Sequence, residues 1–394
     1  MKGAAVRPGL EVFLADPPAW ARGRRLGLLC HQASVDRRLR HARDLVAAAL
    51  PGALRCLFSP QHGLYAEKQD NMVESPDRVD PVLGIPVFSL YGATREPLPE
   101  QLAHIDLLLV DLQDVGCRVY TYAWTLLLAM QAAARAGVAV AVLDRPNPVG
   151  GVHVEGNRLA DDCRSFVGMS PIPMRHGLTL GELARYFAAG AAAGVELHVV
   201  PTAGWRRRMD FPATGLAWVW PSPNMPTLET ARVYPGQVAL EGTNLSEGRG
   251  TTRPFEVFGA PFVEPRRVAE ALEGRLPPGV VLREQYFEPT FHKWRGETCG
   301  GFQLHVTDPE AFRPLRTTLV LLSVLWRLYP GEAAWREPPY EYETERLPID
   351  LILGDRRLRA AVEAGADLRD FDALLSGDEA DFTRERAARL LYPG

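Results

Sequence analysis

Three runs of consecutive apolar residues constrain this chain more than anything else in it. Residues 26–30 (LGLLC), 105–112 (IDLLLVDL) and 138–143 (VAVAVL) lack the apolar–polar alternation of a strand with one wet face. Each is also shorter than an ordinary helix, so each reads as a strand covered on both faces. Helical patterns fall between them. Asp36 opens one with Leu39, Ala42, Leu45, Val46 and Leu50 on a single face; residues 120–136, ended by Gly137, and residues 180–189 carry two more. Residues 54–58, 85–90 and 195–200 add strands. Strands alternating with helices predict an α/β fold, a parallel sheet with helices on both faces.

Beyond about residue 260 the texture changes. Residues 265–276 are helical and more charged, 280–286 and 301–306 read as strands with alternating character, 312–329 form an amphipathic helix, and the last 40 residues are charged and helical. A boundary near residue 255 is therefore expected, with residues 1–255 carrying most of the active site and residues 256–394 forming a smaller α+β domain.

Composition removes several classes of function. The 35 Gly and 33 Pro exceed ordinary usage, but Gly has no three-residue period and 46% of residues are apolar, which excludes collagen and wholesale disorder. The excess belongs to ordered turns. With 44 basic against 48 acidic side chains the chain has no electrostatic footprint for nucleic acid. The lysines Lys2, Lys68 and Lys293 leave few candidates for Schiff-base chemistry. Five cysteines without a CxxC pair read as reduced thiols. Glu11, Asp16 and two prolines interrupt the region where a signal peptide would need its apolar segment, and residues 119–134 are too short to span a membrane. A cytoplasmic protein without a membrane partner is expected; the oligomeric state is open. A GxGxxG after a strand, a P-loop, a GxSxG elbow and an HExxH or other metal-ligand spacing are all missing, so no cofactor and no metal are expected.

In an open α/β sheet, ligands bind beyond the carboxyl ends of the strands. Three such ends run into polar loops. The first carries Gln61 and His62, then Glu67, Gln69, Asp70, Asn71 and Glu74; the second Asp111, Gln113, Asp114, Arg118, Tyr120 and Tyr122; the third Asp144, Arg145, Asn147 and Glu155. Residues 241–253 (EGTNLSEGRGTTR) are too polar for a buried strand. They read either as a solvated loop or as an anion or sugar site, in which glycines admit a ligand to the backbone and arginine grips a carboxylate. Trp205, Trp218 and Trp220 divide between core and cleft wall. Paired carboxylates without metal or nucleotide meet the minimum for glycoside hydrolysis, among other hydrolase readings.

At these loops the sequence resembles a known family. SPQHG (59–63), SLYG (89–92), DLQDVGCRVYTY (111–122), DRPNPVGG (144–151), PIPMRHGLTLGELA (171–184), PSPNMPT (221–227), EGTNLSEGRGTTRPFE (241–256) and FHKWRGETCGGFQLHVTD (291–308) occur in order. Together they are similar to the exo-β-N-acetylmuramidases of the NamZ type. The resemblance implies a Rossmann-like larger domain, a smaller C-terminal domain and a cleft between them. It implies an enzyme that releases terminal, non-reducing N-acetylmuramic acid (MurNAc) from peptidoglycan fragments such as MurNAc-GlcNAc, for wall recycling or scavenging.

On that basis the sugar's lactyl carboxylate is expected on Arg249, with Arg145 and Arg253 behind it. Asn244, Asn147 and Tyr120 are expected to bond its hydroxyls or acetamide. Glu67 or Glu74 with Glu155 would form the acid/base or nucleophile pair, oriented by Asp114 and His62. Gln61, Asn224, Glu241 and Glu247 complete the expected substrate-binding set. Asp111 and Asp144 are open to a structural role. Many members have glutamate where this chain has Gln61. An amide does not titrate, so either the carboxylate lies elsewhere or the protein is a catalytically silent muropeptide-binding or sensor protein. Stereochemistry stays open, since it turns on a carboxyl separation of ~5–5.5 Å or ~6.5–9.5 Å.

Overall fold

The computed structural model describes residues 5–70 and 72–394; Lys2 and Asn71 fall outside them. The apolar runs are strands, as their covering on both faces requires: β1 (Leu26–Cys30) is buried along its whole length. The other strands of the first half are β2 (Leu54–Ser59), β3 (Arg78–Val79), β4 (Pro86–Ser89), β5 (Leu107–Asp111), β6 (Ala139–Leu143) and β7 (Leu197–Val200). They form one seven-stranded sheet in the order β3-β4-β2-β1-β5-β6-β7. All neighbours pair in parallel except β3 with β4.

Alternation along each strand divides the core. Leu29, Leu108, Val110, Val140 and Val142 join one apolar cluster, while Leu28, Leu107, Leu109, Ala139 and Ala141 join another on the opposite face. Helices cover both. On the second face lie α1 (Gly9–Ala15) and α2 (Ala42–Ala49). After the short α3 (Pro99–Leu102), α4 (Tyr122–Ala136) and α5 (Leu180–Ala188) cover the first face. Gly9 carries no Cβ because one would stand 2.4 Å from the Asp144 nitrogen and the Val200 oxygen, where α1 meets the ends of β6 and β7.

One helix is shorter than its pattern. The Asp36 carboxylate accepts the backbone N–H groups of Arg38 and Arg40 and closes a turn, so α2 begins only at Ala42, and Leu39 stands exposed.

The second half holds a three-stranded antiparallel sheet of β8 (Val257–Ala260), β9 (Val280–Phe287) and β10 (Cys299–Val306), in the order β8-β10-β9. After α6 (Leu228–Gln237), which precedes it, its helices are α7 (Pro265–Leu272), α8 (Pro314–Leu328), α9 (Pro348–Leu353), α10 (Arg356–Glu363) and α11 (Leu368–Arg386). We propose the divide between the halves near residue 255, with α6 of the first half packed against α8 of the second. Gly236 lets α6 rest directly on α8, where a Cβ would stand 2.0 Å from the Pro314 oxygen. The end of the chain ties back to the first half: Arg386 donates to the carbonyls of Gly151, Val152, His176 and Gly177, and the Tyr392 hydroxyl donates to Asp144.

All five cysteines are free and buried. Among the described residues no helix is long and apolar enough to cross a membrane, and no group of His, Cys, Asp or Glu could hold a metal ion.

Candidate active site

The loops after β2 and β5 turn toward the second half and line one wall of a cleft. The first loop contributes Gln61 and His62, and the second contributes Val119, Tyr120, Thr121 and Tyr122. Ser222, Asn224 and Met225 lie at one end. Tyr234 from α6, then Glu241, Arg249 and Phe255, form the opposite wall, and Tyr340 and Glu341 complete it. The rings of Tyr120, Tyr234 and Phe255 meet edge to face, with centroids 5.8 and 4.9 Å apart, and give the cleft an aromatic side.

Glu341 is a carboxyl group that the sequence reading did not single out. It is 5% exposed and accepts from Gln61 Nε2 at 3.0 Å and from the Tyr91 hydroxyl at 2.6 Å. Gln61 is oriented in turn by the Thr121 hydroxyl, which donates to Gln61 Oε1 at 2.6 Å. Burial pushes the Glu341 carboxyl above the usual range, against the two donors, and the charge of Glu241 adds to the rise. Its backbone is left-handed, with φ of 45°, as it is at the cleft residues His62 (73°) and Phe255 (63°). Side chains pay for that conformation, and such strain gathers where a fold must aim a functional group.

The opposite wall is a charge network. Arg249 Nη2 donates to Glu241 Oε1 at 2.6 Å, and the Tyr340 hydroxyl donates to Glu241 Oε2 at 2.7 Å. Arg249 Nε lies 3.1 Å from Glu247 Oε1, while its Nη1 is buried without a hydrogen-bond partner. Burial opposes the charge on Arg249, but Glu241 and Glu247 outweigh it and hold the guanidinium charged. Lys293 Nζ donates to Glu247 Oε2 at 2.9 Å and to the carbonyls of Leu240 and Leu245. Burial pulls the Glu247 carboxyl upward, yet Lys293, His292 and Arg249 prevail and hold it well below its ordinary value. His62 donates Nδ1–H to the Lys68 carbonyl at 2.8 Å, and burial lowers its imidazole to about 4, so it is neutral at pH 7.

Of the residues expected from the sequence, Gln61, His62, Tyr120, Asn224, Glu241 and Arg249 line the cleft, and Glu247 backs it through Arg249. The Tyr120 hydroxyl is buried beside the hydroxyls of Ser222 and Tyr122. Asn224 braces the Gln61 loop by donating to the Gln69 carbonyl at 2.9 Å.

The others stand elsewhere, for definite reasons. Glu67 pairs with Arg78 at 3.1 Å and accepts from the Tyr65 backbone, half exposed. Glu74 is exposed and meets the Tyr342 hydroxyl at 3.3 Å. Arg145 is spent on Asp111, with contacts of 2.6 and 2.9 Å, and lines a separate small cavity with Trp218. Asn147 braces its own loop through Leu178 and Val149, and Asn244 bonds Glu332 and Ala334. Arg253 pairs with Glu256 at 3.4 Å. Asp144 holds Thr179, Gly181 and Tyr392, a structural role. Trp205 is core and Trp220 is exposed.

Glu155 is fully buried, with Oε1 accepting the Arg316 backbone N–H at 3.0 Å in the first turn of α8. It serves the packing of the halves rather than the cleft. Glu155→Gln is expected to leave turnover close to wild type, where loss of a general acid would cost about 10²–10⁴-fold. A kcat measurement on the variant checks this.

Asp114 Oδ2 accepts the Gly116 N–H at 2.6 Å, and its other oxygen has no partner. Burial raises its carboxyl to about 7. A carboxyl raised on folding stabilises the fold below its unfolded value of 3.8, and that contribution is lost as pH rises through about 7. Asp114→Asn is therefore expected to flatten the stability profile across that window while sparing turnover. Thermal melts at a series of pH values test it.

Family models for the exo-beta-N-acetylmuramidase NamZ match the chain, the N-terminal one over residues 26–229 and the C-terminal one over residues 232–392. The chain is 39% identical over 391 residues to the peptidoglycan beta-N-acetylmuramidase NamZ of Bacillus subtilis (strain 168), covering 99% of this chain and 92% of that one. Among solved structures it resembles two DUF1343 family proteins of Bacteroides fragilis NCTC 9343. One has a TM-score of 0.89 at 33% identity, covering 98% of this chain and 99% of that one. The other has a TM-score of 0.78 at 26% identity, covering 99% of each.

Proposed function

The chain belongs to the exo-β-N-acetylmuramidase NamZ family, and on that premise we propose how its cleft frees a terminal sugar. The protein is a glycosidase that releases non-reducing terminal N-acetylmuramic acid from peptidoglycan fragments. The observation that carries the mechanism is Glu341, buried and hydrogen-bonded by Gln61 and Tyr91, in the same cleft as the Glu241–Arg249 pair.

Glu341 is the general acid. Its raised carboxyl keeps a proton at a pH where an ordinary glutamate has lost it, and that proton goes to the glycosidic oxygen as the bond breaks. Glu241, with Arg249 and Tyr340 donating to it, is the second carboxylate and faces the positive charge that grows at the anomeric carbon; a water adds to that carbon and gives its spare proton to one of the two carboxylates, which completes the hydrolysis. Arg249 Nη1, which lacks a protein partner, receives the lactyl carboxylate, and the Tyr120 hydroxyl meets a sugar hydroxyl. The aromatic side of the cleft packs against the ring.

Gln61 no longer argues for a silent protein. Its amide does not titrate, but it donates to a carboxyl that does. We place the activity in the cytoplasm, acting on imported MurNAc-GlcNAc fragments, because five free, unpaired cysteines suit a reducing compartment. Incubation with MurNAc-GlcNAc and with a chromogenic MurNAc glycoside tests the reading. Release of MurNAc from both is expected, and release from neither would overturn it.

A further inference from the structure

Outside the catalytic cleft, three buried arginines of this fold have most of their donors taken up. Arg118 gives four hydrogen bonds to the carbonyls of Asn157, Ile172, Ile352 and Leu353. Arg386 gives four to carbonyls of the 151–177 region, and Arg207 bonds Glu182 and two carbonyls. Arg175 differs. It is 7% exposed, makes a single side-chain hydrogen bond, from Nη2 to the Val149 carbonyl, and has no ion-pair partner among the described residues. A buried guanidinium with donors to spare costs stability unless something else takes them.

Arg175 lines a cavity that shares no lining residue with the catalytic cleft. Arg208 and Arg232 line it too. Its carboxylates are already engaged, Asp210 by Arg232 at 2.6 Å and Glu310 by His153 at 3.1 Å. Arg208, like Arg175, has no ion-pair partner among the described residues; Glu155 and Glu310 act on the Arg175 charge from beyond ion-pair distance and leave its Nε without a hydrogen-bond partner. Met209, Val306 and Phe312 supply an apolar wall.

We propose that this cavity is a second ligand site, which takes a small organic oxyanion: a phosphate or carboxylate with an apolar substituent. Arg175 and Arg208 hold the anionic head, and Phe312 and Met209 pack on the substituent. The lining comes from residues 149–232 of the first half and 306–312 of the second, so a bound ligand joins the two and stabilises the folded chain by mass action.

Thermal unfolding of the full chain, titrated with butyl phosphate, hexanoate or inorganic phosphate, tests this. A saturable rise in Tm is expected with an organic probe, at lower concentration than with inorganic phosphate. Whichever organic probe acts at the lower concentration tells phosphate from carboxylate. In Arg208→Ala, an exposed position, the half-saturating concentration should rise at least ~10-fold, the cost of one hydrogen bond to a charged group. Arg175→Met should lose the shift; where that variant does not fold, Arg208→Glu serves in its place. The proposal is overturned by the absence of a saturable shift with both organic probes. It is also overturned by inorganic phosphate acting as well as butyl phosphate, or by unchanged half-saturation in the Arg208 variants.

Discussion

Glu341→Gln is expected to lower kcat for MurNAc release by about 10²–10⁴-fold, the range for removal of a general acid. The side chain keeps its shape, and the Tyr91 hydroxyl can still donate to the new amide oxygen. The fold should therefore stay near wild type by circular dichroism and thermal melt. The pH profile gives a sharper readout. In the wild type the acid works only while protonated, so kcat falls as pH rises through the raised value of Glu341. The variant, with nothing to titrate at that position, should lose this limb along with most of its rate. Turnover close to wild type, or a retained alkaline limb, would remove Glu341 from the role of acid.

Arg249→Met is expected to cost about 3–5 kcal/mol of folding stability, the range for stranding one partner of a buried ion pair. Arg249 is shared by Glu241 and Glu247, whose side chains are 4% and 1% exposed. Lys293 and His292 remain beside Glu247, at 2.9 and 3.3 Å, but among the described residues Glu241 keeps only the Tyr340 hydroxyl. Urea unfolding measures the loss. Activity should fall as well, and unevenly: kcat/KM on MurNAc glycosides should drop more than on GlcNAc analogues, because only MurNAc carries the lactyl acid. Equal losses on both would leave Arg249 holding the protein carboxylates and not the substrate. A stability change under about 1 kcal/mol would mean that the buried carboxylates do not depend on it.

The cleft was partly legible in the sequence. The polar loops at the ends of β2 and β5 and the Gly-rich stretch after α6 pointed to Gln61, His62, Tyr120, Glu241 and Arg249, all of which line it. The expected acid pair was not. Glu67 and Glu74 share the Gln61 loop, but proximity along a chain does not aim a side chain, and both end half exposed or exposed at its rim. Glu341 lay in a charged C-terminal segment without a glycine-rich or strand-end motif. Its signal was slight: a glutamate between two tyrosines, just after two prolines.

What the sequence determined by itself is whatever a local repeat can encode. Period-two alternation in buried strands sent Leu28 to one face and Leu29 to the other, and that alone required a sheet covered by helices on both sides. The tertiary structure decided which carboxyls meet. Gln61 and Glu341 are 280 residues apart and become hydrogen-bonded partners only when the second half closes over the strand ends. The same packing gives Glu155 to the backbone of α8, 161 residues away, and takes it from the cleft. A buried carboxyl is committed to whichever donor reaches it, and which donor reaches it is set by how the halves pack, a long-range property that no run of neighbouring residues carries.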